Sequence, residues 1–389
     1  MTTSVSAPRV NPRPKPSVGK DSPFYVSPTL DYLSRLVTRF PNLWLRLGSL
    51  ESSLLAPRLS RINITQPIYI CGLARSGSTL LHEILSSHSS VGTHRIKDYP
   101  FISTPYWWRT ATAFNRATSL RERPHRDTMM VSSESPDAIE EMLWMAFFPQ
   151  GHNPQIDNRL TARERNPKFD SYYQNHLRKL LLAEKATRYV AKANYHIARL
   201  EYLLQLFPDA RFVIPVRSPI SHIGSLARQH EWFSQGHRQV PQSLAVMQRS
   251  GHFEFGLDRR PIHLGNSELL QQIRRAWESG EETLGWSIYW DMVYRYLADL
   301  LDSHEGVRKA SLVVRFDELC EEPQRVLKDV FEHCRLTDYL TILDKYVPTI
   351  HRPNYYESPF SPSDLAQIRN QTDQTAERWG CPKRNVDPK

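Results

Sequence analysis

The chain has 389 residues, enough for one large domain with a substantial core, and its 40% hydrophobic and 23% charged content is typical of a globular protein. A formal net charge of +9 favours anionic ligands such as nucleotides, acidic substrates or membrane surfaces. The basic residues are scattered, without a zinc-finger spacing, a basic region or an aromatic RNA-binding signature, so nucleic acid is not an expected partner.

Cysteine and histidine patterns argue against a metal or disulfide framework. The four cysteines are far apart and form no C-x-x-C pair, and the histidines form no H-E-x-x-H motif, so no metal is expected. No stretch approaches the roughly 18 apolar residues of a membrane span, and no apolar signal core opens the chain. We predict a soluble cytoplasmic protein without stable membrane insertion, although a shortened Golgi enzyme would share these features.

The N-terminal part of the chain divides into two segments by composition. Residues 1–28 are rich in Pro, Ser, Val and basic residues without periodicity, which predicts a flexible arm. Between 29 and 60, apolar residues recur at helical spacing on both sides of Pro41, which predicts two short helices packing on the core. In 61–389, strands alternate with helices, which is typical of an α/β domain with a central parallel sheet and helices on both faces.

The segment from Pro67 to Leu81 reads as a strand, a tight turn and a helix. A short apolar run is followed by two glycines, and leucines at helical spacing come next. Backbone N–H groups in such a turn, together with the positive end of the helix, form a site for a phosphate or sulfate group.

The glycine spacing of this turn is that of a P-loop with one change. Gly72, Gly77 and Thr79 match G-x-x-x-x-G-K-S/T, but Ser78 occupies the lysine position. The cation lies within the loop as Arg75, whose planar guanidinium suits the oxygens of a phosphate or sulfuryl group. The absence of this lysine argues against a nucleoside triphosphate as the ligand.

The loop residues resemble a known family. Arg75, Ser76, Gly77, Ser78 and Thr79, placed after a strand, resemble the 5′-phosphosulfate-binding loop of sulfotransferases that use 3′-phosphoadenosine-5′-phosphosulfate (PAPS). The arginine variant is that of tyrosylprotein sulfotransferases and related bacterial enzymes. The resemblance implies a P-loop-like sulfotransferase fold in which these five residues bind PAPS, with Arg75 also neutralising charge during transfer.

The segment after the loop helix carries candidates for a general base. In the family it resembles, this segment supplies the residue that takes the acceptor's proton, a glutamate in a Gly-Glu-Glu context in tyrosylprotein enzymes. Here the sequence is Gly92-Thr-His-Arg95, so the base is either His94 or Asp98. Histidine titrates near neutrality, which favours His94. In the alternative, Asp98 orients His94 or an arginine.

Further along, the segment 121–126 predicts a charged loop at the rim of the site. Glu140 and Glu141 open a predicted helix, where acidic residues commonly stabilise the helix dipole. The strand that begins at Arg188 places Lys192 at its carboxyl end, where ligands of open parallel sheets bind. The resemblance implies that Lys192 contacts the bridging oxygen and stabilises charge on the leaving phosphate.

A second motif follows at 207–225. Arg217 ends a buried strand, Pro219 suits the first turn of a helix, and Ser225 lies eight positions after the arginine. This spacing resembles the sulfotransferase motif in which arginine and serine bind the 3′-phosphate of PAPS. The family usually has aspartate where this chain has Ser218.

The two motifs together predict an enzyme that transfers a sulfuryl group from PAPS to a hydroxyl or amine acceptor, in line and without a metal. The product would be 3′-phosphoadenosine 5′-phosphate (PAP). A P-loop kinase or other NTPase stays open, as does a non-catalytic protein that binds nucleotides or polyanions. The pattern does not identify the acceptor, which is a small molecule, carbohydrate, lipid or peptide, and an oligomer is possible.

Overall fold

The computed structural model describes residues 22–114, 117–125, 129–352 and 360–381. The predicted flexible arm lies outside the described residues up to position 21. No helix in these parts of the chain combines the length and the apolar character that crossing a membrane requires.

The central sheet is entirely parallel and has five strands in the order β2-β5-β1-β6-β7. The two remaining strands of the described chain, β3 and β4, form an antiparallel hairpin. The strands are β1 (Ile68–Ile70), β2 (Val91–Gly92), β3 (Arg121–Glu122), β4 (Met130–Val131), β5 (Arg188–Lys192), β6 (Arg211–Val216) and β7 (Ser311–Arg315).

Helices precede, connect and follow the strands. The α-helices of the described chain are α1 (Pro28–Arg39), α2 (Pro41–Leu54), α3 (Ala56–Leu59), α4 (Ser78–Ser86), α5 (Pro105–Ala111), α6 (Glu141–Phe147), α7 (Pro167–Glu184), α8 (Leu200–Leu206), α9 (Pro219–Gln239), α10 (Pro241–Ser250), α11 (Ser267–Glu278), α12 (Glu282–Ser303), α13 (Glu305–Ala310), α14 (Phe316–Glu321), α15 (Pro323–His333), α16 (Leu340–Tyr346) and α17 (Pro362–Arg378). Short 3₁₀ turns cover Ile96–Asp98, Asn194–Ala198 and Val347–Thr349.

Strand β1 shows why helices cover both faces of the sheet. Successive side chains of a strand point to opposite faces. Ile68 and Ile70 accordingly join an apolar cluster with α4 and α15, whereas Tyr69 joins a second cluster with α7, α9 and α12. All three side chains are fully buried. The predicted α/β fold, a parallel sheet between helical layers, is confirmed.

The position of β1 in the sheet determines where a ligand can bind. After β1 the chain forms β2 and β5 on one side of it and then crosses to β6 and β7 on the other side. The connections therefore diverge at the carboxyl end of β1, and such a switch point leaves a crevice for ligands in open parallel sheets. The glycine-containing loop occupies this place.

The predicted N-terminal helices are present, with α1 and α2 separated at Pro41 and the single turn α3 added after them. Helix α2 is joined to α7 by a buried ion pair between Glu51 and Lys179, whose Oε2 and Nζ atoms are 2.8 Å apart. Lys179 Nζ also donates to the carbonyls of Gly48 (2.8 Å) and Ser103 (3.1 Å). The predicted division of the chain at residue 60 stays a prediction.

Candidate active site

The loop from β1 to α4 presents a helix N-terminus to the crevice. Gly77 is the N-cap of α4 with φ of +95°, and glycine has no side chain with which to cap the first-turn N–H groups. Those groups remain free to bind an anion. Arg75 adopts a left-handed conformation with φ of +69°. Ser76 is buried and uses its hydroxyl inside the loop, donating to the carbonyl of Leu73 at 2.7 Å.

Both glycines of the loop are required by close neighbours. A Cβ atom on Gly72 would lie 2.8 Å from Cγ of Pro215 in β6, and one on Gly77 would lie 2.6 Å from Cδ2 of Phe316 in α14. Real Cβ atoms do not approach other heavy atoms this closely. The spacing of the two glycines thus lets the loop lie directly against β6 and the start of α14.

The second sequence motif meets the loop directly. Arg75 Nε donates to Ser225 Oγ at 3.2 Å, and Arg217 Nη1 donates to the carbonyl of Arg75 at 3.1 Å. Arg217 Nε also donates to Ser221 Oγ at 3.3 Å, and its guanidinium lies 4.9 Å from the centre of the Phe316 ring. Two arginines and two serines from segments about 150 residues apart therefore surround one place in the crevice.

A buried histidine holds the loop against α9. His222 Nε2 donates to the carbonyl of Ala74 at 2.8 Å, and the indole N–H of Trp290 donates to His222 Nδ1 at 3.2 Å. Burial lowers the pKa of His222 to about 3, and the nearby cations Arg217 and Arg75 act in the same direction. The imidazole is therefore neutral at physiological pH, with both nitrogens engaged.

Lys192 lies at the carboxyl end of β5, beside β1 in the sheet. Burial lowers the pKa of its amine, while the negative charges of Glu254 and Asp137 oppose that change. The cations Arg123 and Arg75 add to the lowering of the pKa. The charge of Arg75 therefore acts on Lys192, although it is the smallest of these influences.

Residues 67–253 match the sulfotransferase family. This segment belongs to the sulfotransferase family. The match begins directly before β1 and includes the loop, Lys192, Arg217 and Ser225. The match supports the sulfotransferase activity that the paired motifs predicted.

Solved structures of sulfotransferases are also similar to the chain. A sulfotransferase of Mycobacterium tuberculosis is 15% identical, covering 89% of this chain and 86% of its own, with a TM-score of 0.45. One of Mycobacterium avium is 13% identical, with coverages of 84% and 80% and a TM-score of 0.46. The sulfotransferase domain of a Synechococcus olefin synthase is 13% identical, with coverages of 84% and 98% and a TM-score of 0.37. A search of curated proteins gave no match.

The two residues predicted as the general base lie in a buried polar network. His94 is 2% exposed, and Asp98 is fully buried. Arg109 Nε donates to Asp98 Oδ1 at 2.9 Å, and His94 Nε2 lies 3.1 Å from His176 Nε2. Burial would raise the pKa of Asp98, but His94 and Arg109 hold it well below its usual value. That His94 or Asp98 acts as the general base stays a prediction.

Glu140 and Glu141 open a helix as predicted, with Glu140 as the N-cap and Glu141 as the first residue of α6. Both carboxylates are also buried, at 1% and 2% exposure. Glu140 accepts hydrogen bonds from Trp144 Nε1 at 2.8 Å and Tyr173 OH at 2.9 Å. Glu141 accepts from Arg199 Nη1 at 3.0 Å. Both carboxylates thus have the hydrogen-bond donors that buried carboxylates require.

A cleft of about 410 Å³ opens beside the loop and α9. Its walls are formed by Arg75, His125, Ser225, Arg228, Gln229, Glu231, Trp232 and Gln235. The segment 121–126, predicted to be a charged loop, begins instead with strand β3 of the hairpin, and residue 126 lies outside the described residues. The carbonyl of Pro124, just after β3, accepts a hydrogen bond from Trp232 Nε1 at 2.7 Å.

Several site residues were not found from the sequence. Ser221 and His222 lie inside the second motif. Only their position in the first turn of α9 could have indicated that they belong to the site. Asp317 was also missed; it accepts a hydrogen bond from the hydroxyl of Ser218, the residue that the sequence already showed in place of the family's aspartate. The sequence did not indicate a role for Glu254, because this residue lies in a polar segment without periodicity that follows α10.

Proposed function

We propose that this sulfotransferase uses PAPS as donor, transfers its sulfuryl group to a hydroxyl or amine acceptor and releases PAP. The observation that carries the proposal is the contact between the two motifs, in which Arg75 bonds Ser225 and Arg217 bonds the carbonyl of Arg75. PAPS carries a phosphosulfate and a separate 3′-phosphate on one nucleoside. A protein that binds it needs two neighbouring anion sites, and these two motifs supply them.

The chemistry of the residues fits both anionic groups of PAPS. The uncapped first turn of α4, the hydroxyl of Thr79 and the guanidinium of Arg75 would hold the 5′-phosphosulfate. Ser78 and Ser76 are buried, so they would contribute backbone N–H groups. Arg217 and Ser225 would hold the 3′-phosphate, with Ser221 beside them. Arginine suits this position because its donors match a phosphate group bidentately.

PAPS supplies an activated sulfuryl group, whose transfer leaves negative charge on the 5′-phosphate. Lys192 and Arg75 would stabilise that charge, and Glu254 and Asp137 favour the ammonium form of Lys192. By analogy with phosphoryl transfer, positioning and electrostatic stabilisation supply most of the catalysis. A sulfuryl group carries less charge than a γ-phosphate, so we propose that no metal ion is required.

Other parts of the proposal rest on the sequence. A small molecule, carbohydrate, lipid or peptide is proposed as the acceptor, and a cytoplasmic location stays a prediction. The kinase alternative lacks the lysine that would follow Gly77, where the chain has Ser78. A non-catalytic binding protein would bind PAP without turning over PAPS, so turnover with ³⁵S-labelled PAPS separates it from an enzyme.

Calorimetric titration with PAP, AMP and Mg-ATP tests the donor. We expect selective binding of PAP and a loss of about tenfold to a hundredfold in its affinity in Arg217→Ala, because a charge-assisted hydrogen bond contributes about 1.5–3 kcal/mol. Arg211→Ala, at the opposite end of the same strand, is the matched control and should bind PAP normally. Equal or tighter binding of Mg-ATP would contradict the proposal and favour the kinase alternative.

A further inference from the structure

Glu254, which favours the ammonium form of Lys192, also has a histidine neighbour that the donor chemistry does not use. His252 and Glu254 follow α10, and Asn194 follows β5 by two residues. His252 Nδ1 lies 3.3 Å from Glu254 Oε1, and the amide of Asn194 donates to the same carboxylate oxygen. Glu254 is the largest favourable charge acting on Lys192. The pair therefore adjoins the place where the sulfuryl group would be transferred.

The geometry determines the roles of the two imidazole nitrogens. A carboxylate accepts hydrogen bonds, so Nδ1 of His252 carries the proton and donates it to Glu254. The opposite nitrogen, Nε2, points away from Glu254 and is then the basic one in the neutral ring. An imidazole held by a carboxylate in this way is the general arrangement of a base that activates a hydroxyl.

We propose that His252, oriented by Glu254, is the general base that takes the proton from the acceptor hydroxyl. This inference rests on the proposed function, since it assigns a residue to the acceptor half of the same reaction. The side chain of His252 is 23% exposed and that of Glu254 is 19% exposed, so a substrate can reach them. His94, at 2% exposure and facing His176, is enclosed by protein.

The step balances without any further reactant. The acceptor oxygen forms a bond to sulfur while the bond between sulfur and the 5′-phosphate oxygen breaks. The proton of the acceptor hydroxyl moves to Nε2 of His252, and the electron pair of the broken bond stays on the phosphate, beside Lys192. The imidazolium that forms is stabilised by the Glu254 carboxylate through Nδ1–H.

The charges around His252 suit this role. Burial disfavours the imidazolium, but Glu254 outweighs burial and raises the pKa of His252 above its usual value. Asp137 acts in the same direction and Lys192 in the opposite one. For Glu254, burial would raise the pKa, but His252 and then Lys192 lower it. A carboxylate with a lowered pKa is a weak base, whereas an imidazole with a raised pKa is a stronger one.

The test compares His252→Gln, Glu254→Gln and His94→Gln, with the exposed His351→Gln as control. PAP release from PAPS is followed with phenol, with the more acidic p-nitrophenol and with water alone as acceptors. We expect His252→Gln to lower kcat about 100-fold or more with phenol, since a general base contributes about 10²–10⁴-fold. The decrease in kcat should be smaller with p-nitrophenol, because this acceptor ionises without a general base. The affinity of His252→Gln for PAP should equal that of the wild type.

A second measurement separates positioning from folding. NMR titration of labelled histidines should show a downward shift of the His252 pKa in Glu254→Gln, because the carboxylate that favours the imidazolium is gone. The pH dependence of kcat should move in the same direction. A variant that is only misfolded would lose PAP binding and would not show a selective dependence on acceptor acidity.

Two results would overturn the inference while leaving the proposed function intact. One is a His252→Gln enzyme with wild-type kcat towards phenol, and the other is a loss of equal size with phenol and p-nitrophenol. A selective defect in His94→Gln instead would return the role to the residue predicted from the sequence. If the wild-type protein binds PAP but releases none from PAPS with any acceptor, the proposed function and this inference both fail.

Discussion

Gly77 is the residue at which the conformation of the loop and its packing depend on each other. Its φ of +95° lies in the region where residues with a Cβ atom are strained, and its α-carbon faces the ring of Phe316. The centre of the same ring lies 4.9 Å from the guanidinium of Arg217, the proposed ligand of the 3′-phosphate. A side chain at position 77 would therefore disturb both anion sites.

We predict that Gly77→Ala lowers PAP affinity more than tenfold and also lowers the free energy of unfolding. The left-handed backbone costs about 1–2 kcal/mol for a residue with a Cβ atom, and the contact with Phe316 forces the loop to move. Titration with PAP and urea unfolding measure the two effects.

Gly280→Ala is the matched control. Gly280 has φ of +83°, but a Cβ atom there meets nothing within 4 Å. The control should lose stability from the backbone alone and keep wild-type PAP affinity. Unchanged PAP affinity in Gly77→Ala would show that the close packing of the loop on α14 is not needed for binding.

A buried ion pair between Glu51 and Lys179 joins helices α2 and α7. Burial raises the pKa of Glu51 and lowers that of Lys179, whereas their mutual attraction opposes both changes. Glu51 Oε1 also accepts a hydrogen bond from the backbone N–H of Trp107, at 2.5 Å, which adds α5 to the connection. The N-terminal helices are thus bonded to the layer that covers the sheet.

We predict that Lys179→Met lowers the free energy of unfolding by about 3–5 kcal/mol, because it leaves Glu51 buried without its partner. The double variant Lys179→Met/Glu51→Leu should lose much less, since no unpaired charge remains. Urea unfolding of the single and double variants measures the coupling between the two side chains.

The exposed pair between Lys309 and Glu305 supplies the control for this cycle. Both side chains are largely in water, where ion pairs contribute little, so Lys309→Met should hardly change the unfolding curve. If Lys179→Met were equally mild, the buried pair would not be what holds α2 to α7.

At the scale of the whole molecule, buried neutral histidines make the free energy of unfolding depend on pH. Burial lowers the pKa of His82 to about 3 and that of His222 to about 3. In the unfolded chain these imidazoles take up protons below about pH 6.5, whereas in the folded protein they do not until near pH 3. Their contribution to stability therefore falls as pH decreases through this window. His252, whose pKa is raised, acts in the opposite direction.

We predict that the free energy of unfolding is lower at pH 5.5 than at pH 7.5 and that His82→Gln reduces this difference by about 1 kcal/mol. The variant removes one group that binds a proton only after unfolding. Urea unfolding at the two pH values measures the effect, and His351→Gln, at an exposed position, should leave the difference unchanged. An unaltered pH dependence in His82→Gln would contradict the neutral buried state of His82.

The sequence by itself determined the features that are encoded locally. The apolar run, the glycines and Arg75 lie within one strand–turn–helix segment, so residue type and spacing were enough to predict the loop and its preference for anions. The spacing of Arg217 and Ser225 was likewise enough to predict the second motif. The alternation of strands and helices predicted the parallel sheet.

Tertiary structure alone decided which of these groups meet. The contact between Arg75 and Ser225 joins positions 150 residues apart, and it depends on β6 lying next to β1. The surroundings of His94 and Glu254 were equally hidden, because a local pattern does not tell a buried polar group from one that faces a cleft. The physical reason is that strand order and helix packing, not chain proximity, determine burial and the electrostatic neighbours of each side chain.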